Sequence, residues 1–260
     1  MKHFSLCTGI GGLDLAAEWA GFETVAQCEI DEYASRVLAK NFKGVPNLHD
    51  IRTVTNGRLA ELGIDPAAIT VISAGFPCQP YSLAGKGLGD RDERDLWGEV
   101  TRVLGEVCPP WFVGENTPGL FSRENQRYFR RVLNDLAEMR YRVAWGIWGA
   151  CDVRAPHKRD RVFIVAHANG ERRSVQRVSG QLFDKIMEEP FNKTPRSASG
   201  FYGTISHGRY SWWQTEPNVG RVAHGIPARV DRLRCLGNAV VPQQAYPIFE
   251  AIAKYERNFL

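Results

Sequence analysis

The amino-acid sequence predicts a doubly wound, mostly parallel α/β sheet carrying a small irregular unit. Three observations support this. Short apolar runs alternate with helix-like stretches from residue 1 to about 166. From 167 to 224 the texture shifts to basic clusters, serines and glycines without a helical period, and regular structure resumes near 225. Alternating units of this kind place a parallel sheet between two helical layers.

The strands are expected at His3–Leu6, Thr24–Cys28, Thr70–Ala74, Trp111–Gly114, Tyr141–Trp148 and Arg161–Ala166, where apolar and β-branched residues cluster. Helices are expected at Leu13–Ala20, Tyr33–Asn41, Leu96–Val107 and Gln126–Met139, with a last helix from Gln243 to Tyr255 after Pro242. The chain divides accordingly into 1–166, 167–224 and a returning segment 225–260. Ligands of open α/β sheets bind beyond the carboxyl ends of the strands, so the residues just after each strand are the first candidates for function.

Composition narrows the class. With 43% hydrophobic residues, a chain of 260 can bury a large core. No apolar run approaches the roughly 20 residues of a membrane helix, and a cytoplasmic protein with no membrane partner is expected. The cysteines at 7, 28, 78, 108, 151 and 235 form no metal-ligand spacing, so free thiols and no metal are expected. The net charge of +4 hides an asymmetry: residues 1–150 hold 16 basic and 19 acidic side chains, against 17 and 10 in 151–260. An arginine-rich half suits a polyanion, with a solvated basic surface as the plainer explanation.

The run from Phe4 through Gly9, Ile10, Gly11 and Gly12 to Leu13 reads as a strand, a glycine turn and a helix start. Such a turn lets backbone approach a ligand closely, although a tight structural turn needs the same residues. Glu29-Ile30 follows the next strand, where nucleotide-binding folds place an acid on ribose hydroxyls. Asp50-Ile51 is expected to follow a third strand, with its acid placed to accept from an adenine amino group. Pro77-Cys78-Gln79 lies in a proline-bracketed loop just past a buried strand, where a thiolate would be an exposed nucleophile rather than a core cysteine. The stretch Tyr81 to Asp95, with Ser82 at its start, reads as a mobile loop able to close over a substrate. Glu115-Asn116 directly follows a strand and points into the same cleft, unless it is a capping acid. Arg159 and Arg161, two apart at a strand start, share a face and reach one site, unless they are ordinary surface arginines.

In order and spacing these residues resemble the DNA (cytosine-5)-methyltransferases. The set comprises the glycine turn at 9–12, Glu29, Asp50-Ile51, Pro77-Cys78-Gln79, Glu115-Asn116, Arg159-Asp-Arg161 and the closing Leu236-Gly-Asn-Ala-Val-Val-Pro242. The resemblance implies a Rossmann-like S-adenosylmethionine-dependent fold and methyl transfer to carbon 5 of a cytosine in a specific double-stranded DNA sequence. It makes Cys78 the nucleophile and Glu115 the partner of ring nitrogen N3, supported by Asn116, Arg159 and Arg161. It lines the cofactor pocket with Phe4, Gly9, Ile10, Gly11, Gly12, Glu29, Ile30, Asp50, Ile51, Pro77, Leu96, Asn238 and Val240. DNA contacts fall to Gln79, Ser82, Arg172, Arg173, Arg177, Arg209 and Gly237, with 167–224 as the target-recognition segment. A monomer is expected, and the sequence leaves open whether a restriction endonuclease accompanies it.

The chemistry explains the residue types. Carbon 5 of cytosine is a weak nucleophile, and thiolate addition at carbon 6 converts it into an enamine carbon. A proton at N3 drains the charge that addition creates. The base must first leave the helix stack. The sequence departs from the family pattern at Cys7-Thr8, at His157 and in a short recognition segment. Two other readings are the same reaction on RNA and a nucleotide-dependent oxidoreductase, which leaves Cys78 and Glu115 without a role.

Overall fold

In the computed structural model, residues 1–77, 95–123, 125–168 and 227–259 are described. Cys78, Gln79, Ser82, Arg172, Arg173, Arg177 and Arg209, and nearly all of 167–224, lie outside them. Six strands form one sheet in the order β2-β1-β3-β4-β6-β5. They are β1 (Lys2–Leu6), β2 (Glu23–Cys28), β3 (Ile69–Gly75), β4 (Trp111–Asn116), β5 (Tyr141–Trp148) and β6 (Arg161–Ala168). The helices are α1 (Gly12–Trp19), α2 (Glu32–Asn41), α3 (Asn56–Glu61), α4 (Trp97–Val107), α5 (Gln126–Glu138), α6 (Arg229–Asn238) and α7 (Pro242–Phe259).

The inner strands β1, β3, β4 and β6 are covered on both faces, as expected where β-α-β crossovers build a sheet, whereas the edge strand β5 leaves Trp145 and Ile147 exposed. One layer packs Ile51, Leu59, Trp97, Val100, Tyr128 and Val132 against Phe4, Leu6, Phe112 and Ile164. The other packs Leu13, Ala17, Ile248, Phe249 and Ile252 against Val71, Val113 and Phe163. The final helix therefore returns to lie beside α1 on the first half of the sheet.

Polar side chains inside these layers find partners, as burial requires. The ring nitrogens of His3 lie 3.1 Å from Thr24 Oγ1 and 2.8 Å from Ser73 Oγ, which stitches β1 to both neighbours. Burial takes His3 down to about 3, so it stays neutral. Asp14, wholly buried on α1, accepts from Gln27 Nε2 at 2.8 Å and Ser5 Oγ at 3.1 Å, and Ser5 Oγ also donates to Thr8 Oγ1 at 2.7 Å. This network supports the glycine turn from below.

Burial raises the Asp14 carboxyl from 3.8 to about 7, against hydrogen bonds from Gln27 and Ser5 that lower it. Between those values the folded protein holds a proton that the unfolded chain has released. Its contribution to stability therefore falls as pH rises toward 7 and levels off above. Asp14→Asn should flatten the decline in unfolding free energy between pH 5 and pH 8 by about 2 kcal/mol, read by denaturant titration at both pH values. An unchanged decline would show that Asp14 does not carry it.

The sheet is mostly parallel, as expected, and one expectation, a strand before Asp50, is corrected. β6 runs antiparallel to both β4 and β5 at one edge of the sheet. The reversal brings the start of β6, rather than its end, to the carboxyl edge where β3 and β4 finish. No strand precedes Asp50: a single bridge joins Gln27 to Asn47, and Asp50 caps a 3₁₀ turn over Ile51–Thr53.

Candidate active site

The carboxyl ends of β1 to β4 and the start of β6 meet at one edge of the sheet. After β1 the chain turns through Cys7 (φ 49°), Gly9 (φ 61°) and Gly11 (φ 87°), a left-handed sequence that favours glycine. A Cβ on Gly11 would strike the Phe42 ring, and one on Gly12 the carbonyl of Val240, whereas the space around Gly9 is open. The turn is thus clamped on one side by α2 and on the other by the link between α6 and α7, leaving its tip accessible.

Glu29 closes this half of the site. Its carboxylate accepts from Gly9 N at 2.7 Å and Asp31 N at 2.8 Å. Burial raises its pKa, against those hydrogen bonds. Asn47 holds the same turn, accepting from Glu29 N at 2.9 Å and donating to Glu29 O at 3.1 Å. Beside it Ile30 is 65% exposed, an unusual apolar surface next to a glycine turn. Asp50 is half-buried, accepts from Arg52 N at 3.0 Å and precedes Ile51, whose side chain lies in the core. Arg102 of α4 donates to Ile51 O at 2.8 Å and Val54 O at 2.7 Å, fixing that loop.

The second half centres on Glu115. Its carboxyl is buried and paired with Arg161, Nε to Oε1 2.9 Å. In the sheet register Glu115 lies opposite Gly75 on β3 and Phe163 on β6. Burial raises Glu115 to about 7, against the lowering effects of Arg161 and Arg159. It can therefore hold or release a proton near neutrality. Asn116 donates to Phe76 O at 3.0 Å and fixes the stem that continues through half-buried Pro77.

Arg159 departs from the expected pairing with Arg161. Its guanidinium donates to Leu236 O at 3.1 Å, to Gly237 O at 2.7 Å and to Ala239 O. These carbonyls close α6, where the helix dipole attracts a cation. Arg159 has φ 38° and precedes the strand, so the alternation of an extended chain does not apply to it. It still lies close enough to depress Glu115, while Arg161 alone makes the ion pair. Gln244, wholly buried, donates to Trp148 O at 2.8 Å and Arg159 O at 3.0 Å, anchoring α7 beneath the same corner.

Phe4 requires a correction. Its side chain has no exposed surface and belongs to the core, because it lies within β1 rather than at its end. Cys7 occupies the turn instead, with its thiol pushed up to about 12 by burial and by Glu29. Leu96 and Val240 are half-buried, whereas Asn238 and Gly237 are exposed at the end of α6. Sequence reasoning missed Cys7, Asn47, Arg102 and Gln244. Only Cys7 carried a signal, its position directly before the glycines.

No group of metal-ligating side chains occurs among the described residues. Nor is any helix there long and apolar enough to cross a membrane. A mostly parallel α/β sheet with a glycine turn after β1 and an acid after β2 defines a Rossmann-like class of protein, and the buried Glu115–Arg161 pair stands at the same edge of the sheet.

The comparisons carry this to a family. The model for C-5 cytosine-specific DNA methylases matches residues 1–214, and the chain belongs to that family. It is 37% identical over 172 residues to the Type II methyltransferase M.NgoBI of Neisseria gonorrhoeae, covering 65% of this chain and 51% of that protein. It is 29% identical over 212 residues to the Type II methyltransferase M.DsaV of Dactylococcopsis salina, covering 77% and 58%. The chain thus spans about half the length of these relatives. The crystal structure of the S. pombe Dnmt2 methyltransferase shares the fold, with a TM-score of 0.56, 20% identity and coverage of 80% and 62%.

Proposed function

We propose that the chain methylates carbon 5 of a cytosine in double-stranded DNA, with S-adenosylmethionine as donor and Cys78 as the nucleophile that adds to carbon 6 of a flipped-out base. The observation that carries this reading is Glu115: a buried carboxyl at about 7, oriented by Arg161, opposite Gly75 at the root of the stem leading to Pro77 and Cys78. A neutral carboxyl there donates a proton to N3 as the thiolate adds, and the charge of addition is neutralised where it forms. Asn116 holds the stem carbonyl of Phe76. Arg161 keeps Glu115 in one orientation and moderates its rise.

The residues of the other half fit an adenosyl group. Gly9 presents open backbone, Glu29 is fixed yet retains lone pairs for ribose hydroxyls, Ile30 supplies an exposed apolar surface, and Asp50 is half-buried beside them. S-adenosylmethionine would supply there an electrophilic methyl group for carbon 5. Residues 1–166 form the catalytic and cofactor-binding part, 167–224 the target-recognition segment, and 225–260 the return to the sheet. The arginine-rich half supports contact with phosphates through Arg172, Arg173, Arg177 and Arg209.

Bisulfite sequencing of DNA from cells expressing the protein tests this reading. New 5-methylcytosine at one recurring sequence is expected. Its absence from DNA, with methylated cytosine in RNA instead, would move the reaction to RNA.

A further inference from the structure

We propose that Tyr128 is a positioning residue for the Cys78 thiol, tying together the two ends of segment 78–94; the inference rests on the function proposed above. Tyr128 is wholly buried on α5. Its phenol oxygen lies 3.4 Å from Pro77 O, just before that segment, and 3.3 Å from Asp95 Oδ1, just after it. Both contacts are long for a phenol hydrogen bond, and both ends of the segment meet at one atom.

The rest of the cluster makes that meeting point rigid. Asp95, its side chain 6% exposed, accepts from Arg131 Nη1 at 2.7 Å. Trp97 N donates to Asp95 at 3.1 Å, and Trp97 Nε1 donates to Asp135 at 2.7 Å. Tyr128, Arg131 and Asp135 stand three and four residues apart on one face of α5. The rings repeat the connection, with the Phe76 ring tilted against Trp97 at a centroid distance of 4.9 Å and against Tyr128 at 6.5 Å. One helix face therefore grips the chain entering and leaving the segment.

The effect on Cys78 follows from peptide geometry. Cys78 follows Pro77 directly, so a restraint on the Pro77 carbonyl acts on the planar peptide unit through which the nucleophile is attached. Asn116 fixes the preceding carbonyl, of Phe76. Two successive carbonyls of the stem are then restrained, one from β4 and one from α5.

Tyr128→Phe in the full chain is the test, because the ring keeps its packing and only the phenol oxygen is lost. The expected result is a kcat about tenfold lower, with KM for DNA and for S-adenosylmethionine within about twofold, since a misaimed nucleophile slows chemistry and not binding. Hydrogen exchange should quicken at the Phe76 amide and at 95–97 together and stay unchanged in β3 and β4. Asp95→Asn should give the same pattern, and it decides the matter if Tyr128→Phe does not fold. An active wild type with an unaltered kcat in the variant overturns the proposal. A wild type without methyl transfer overturns the proposed function instead, and unaltered exchange at both ends then overturns the tie on its own.

Discussion

Cys78→Ala should lower methyl transfer by about four orders of magnitude or more while leaving the affinity for S-adenosylhomocysteine unchanged. Loss of a covalent nucleophile costs this much because the remaining groups only orient the reactants. The cofactor half is built from β1, β2 and the α6–α7 link, with Gly12 against Val240 and Glu29 on Gly9 N. Titration calorimetry with S-adenosylhomocysteine and a labelled-methyl assay separate the two halves. Residual transfer of more than a small fraction of wild type would exclude Cys78 as nucleophile.

Arg161→Met should lower transfer about a hundredfold, because a loosened Glu115 no longer meets N3 in the required geometry. Methionine retains much of the volume and removes the cation 2.9 Å from Glu115. Without it the Glu115 carboxyl rises further above 7, since Arg161 is the first of the groups now lowering it. Its folded pKa already exceeds the unfolded 4.5, so stability from this group falls as pH rises, and the variant extends that fall to higher pH. The stability gap between variant and wild type should widen from pH 6 to pH 8, where wild-type Glu115 is ionised and paired. Thermal unfolding at both pH values measures it. A gap that narrows with pH would show that Arg161 is not the group compensating Glu115.

Much of this architecture was legible in the sequence because buried parallel strands read as short apolar runs. Tyr141–Trp148 was placed at both ends, and the other strands and the first four expected helices to within two residues. Direction was not legible: Arg161–Ala168 has the same apolar texture whether it runs with or against β4. The α3 helix, Asn56–Glu61, is too short to show a period. At the site, Glu29 and Glu115 stood out as acids directly after apolar runs, whereas Phe4 was misplaced because an aromatic near a glycine turn looks the same inside a strand and at its tip. Arg159 was paired with Arg161 on strand alternation, and a positive φ just before the strand breaks that rule. Tyr128, Arg102 and Gln244 act through partners 33 to 96 residues away, which no local pattern records.

The most direct measurement of the central claim uses duplex DNA whose target cytosine carries fluorine at carbon 5. Thiolate addition and methylation can proceed on that base, but fluorine cannot leave as a cation, so elimination stops and protein, methyl group and DNA remain joined. With S-adenosylmethionine present, a denaturing gel should show a shifted band for the wild type, none for Cys78→Ala and little for Glu115→Gln, whose amide cannot supply the proton to N3. Confirmed methylation of ordinary DNA with no trapped band on the fluorinated duplex would contradict attack through carbon 6, and a band on fluorinated RNA alone would contradict the choice of DNA.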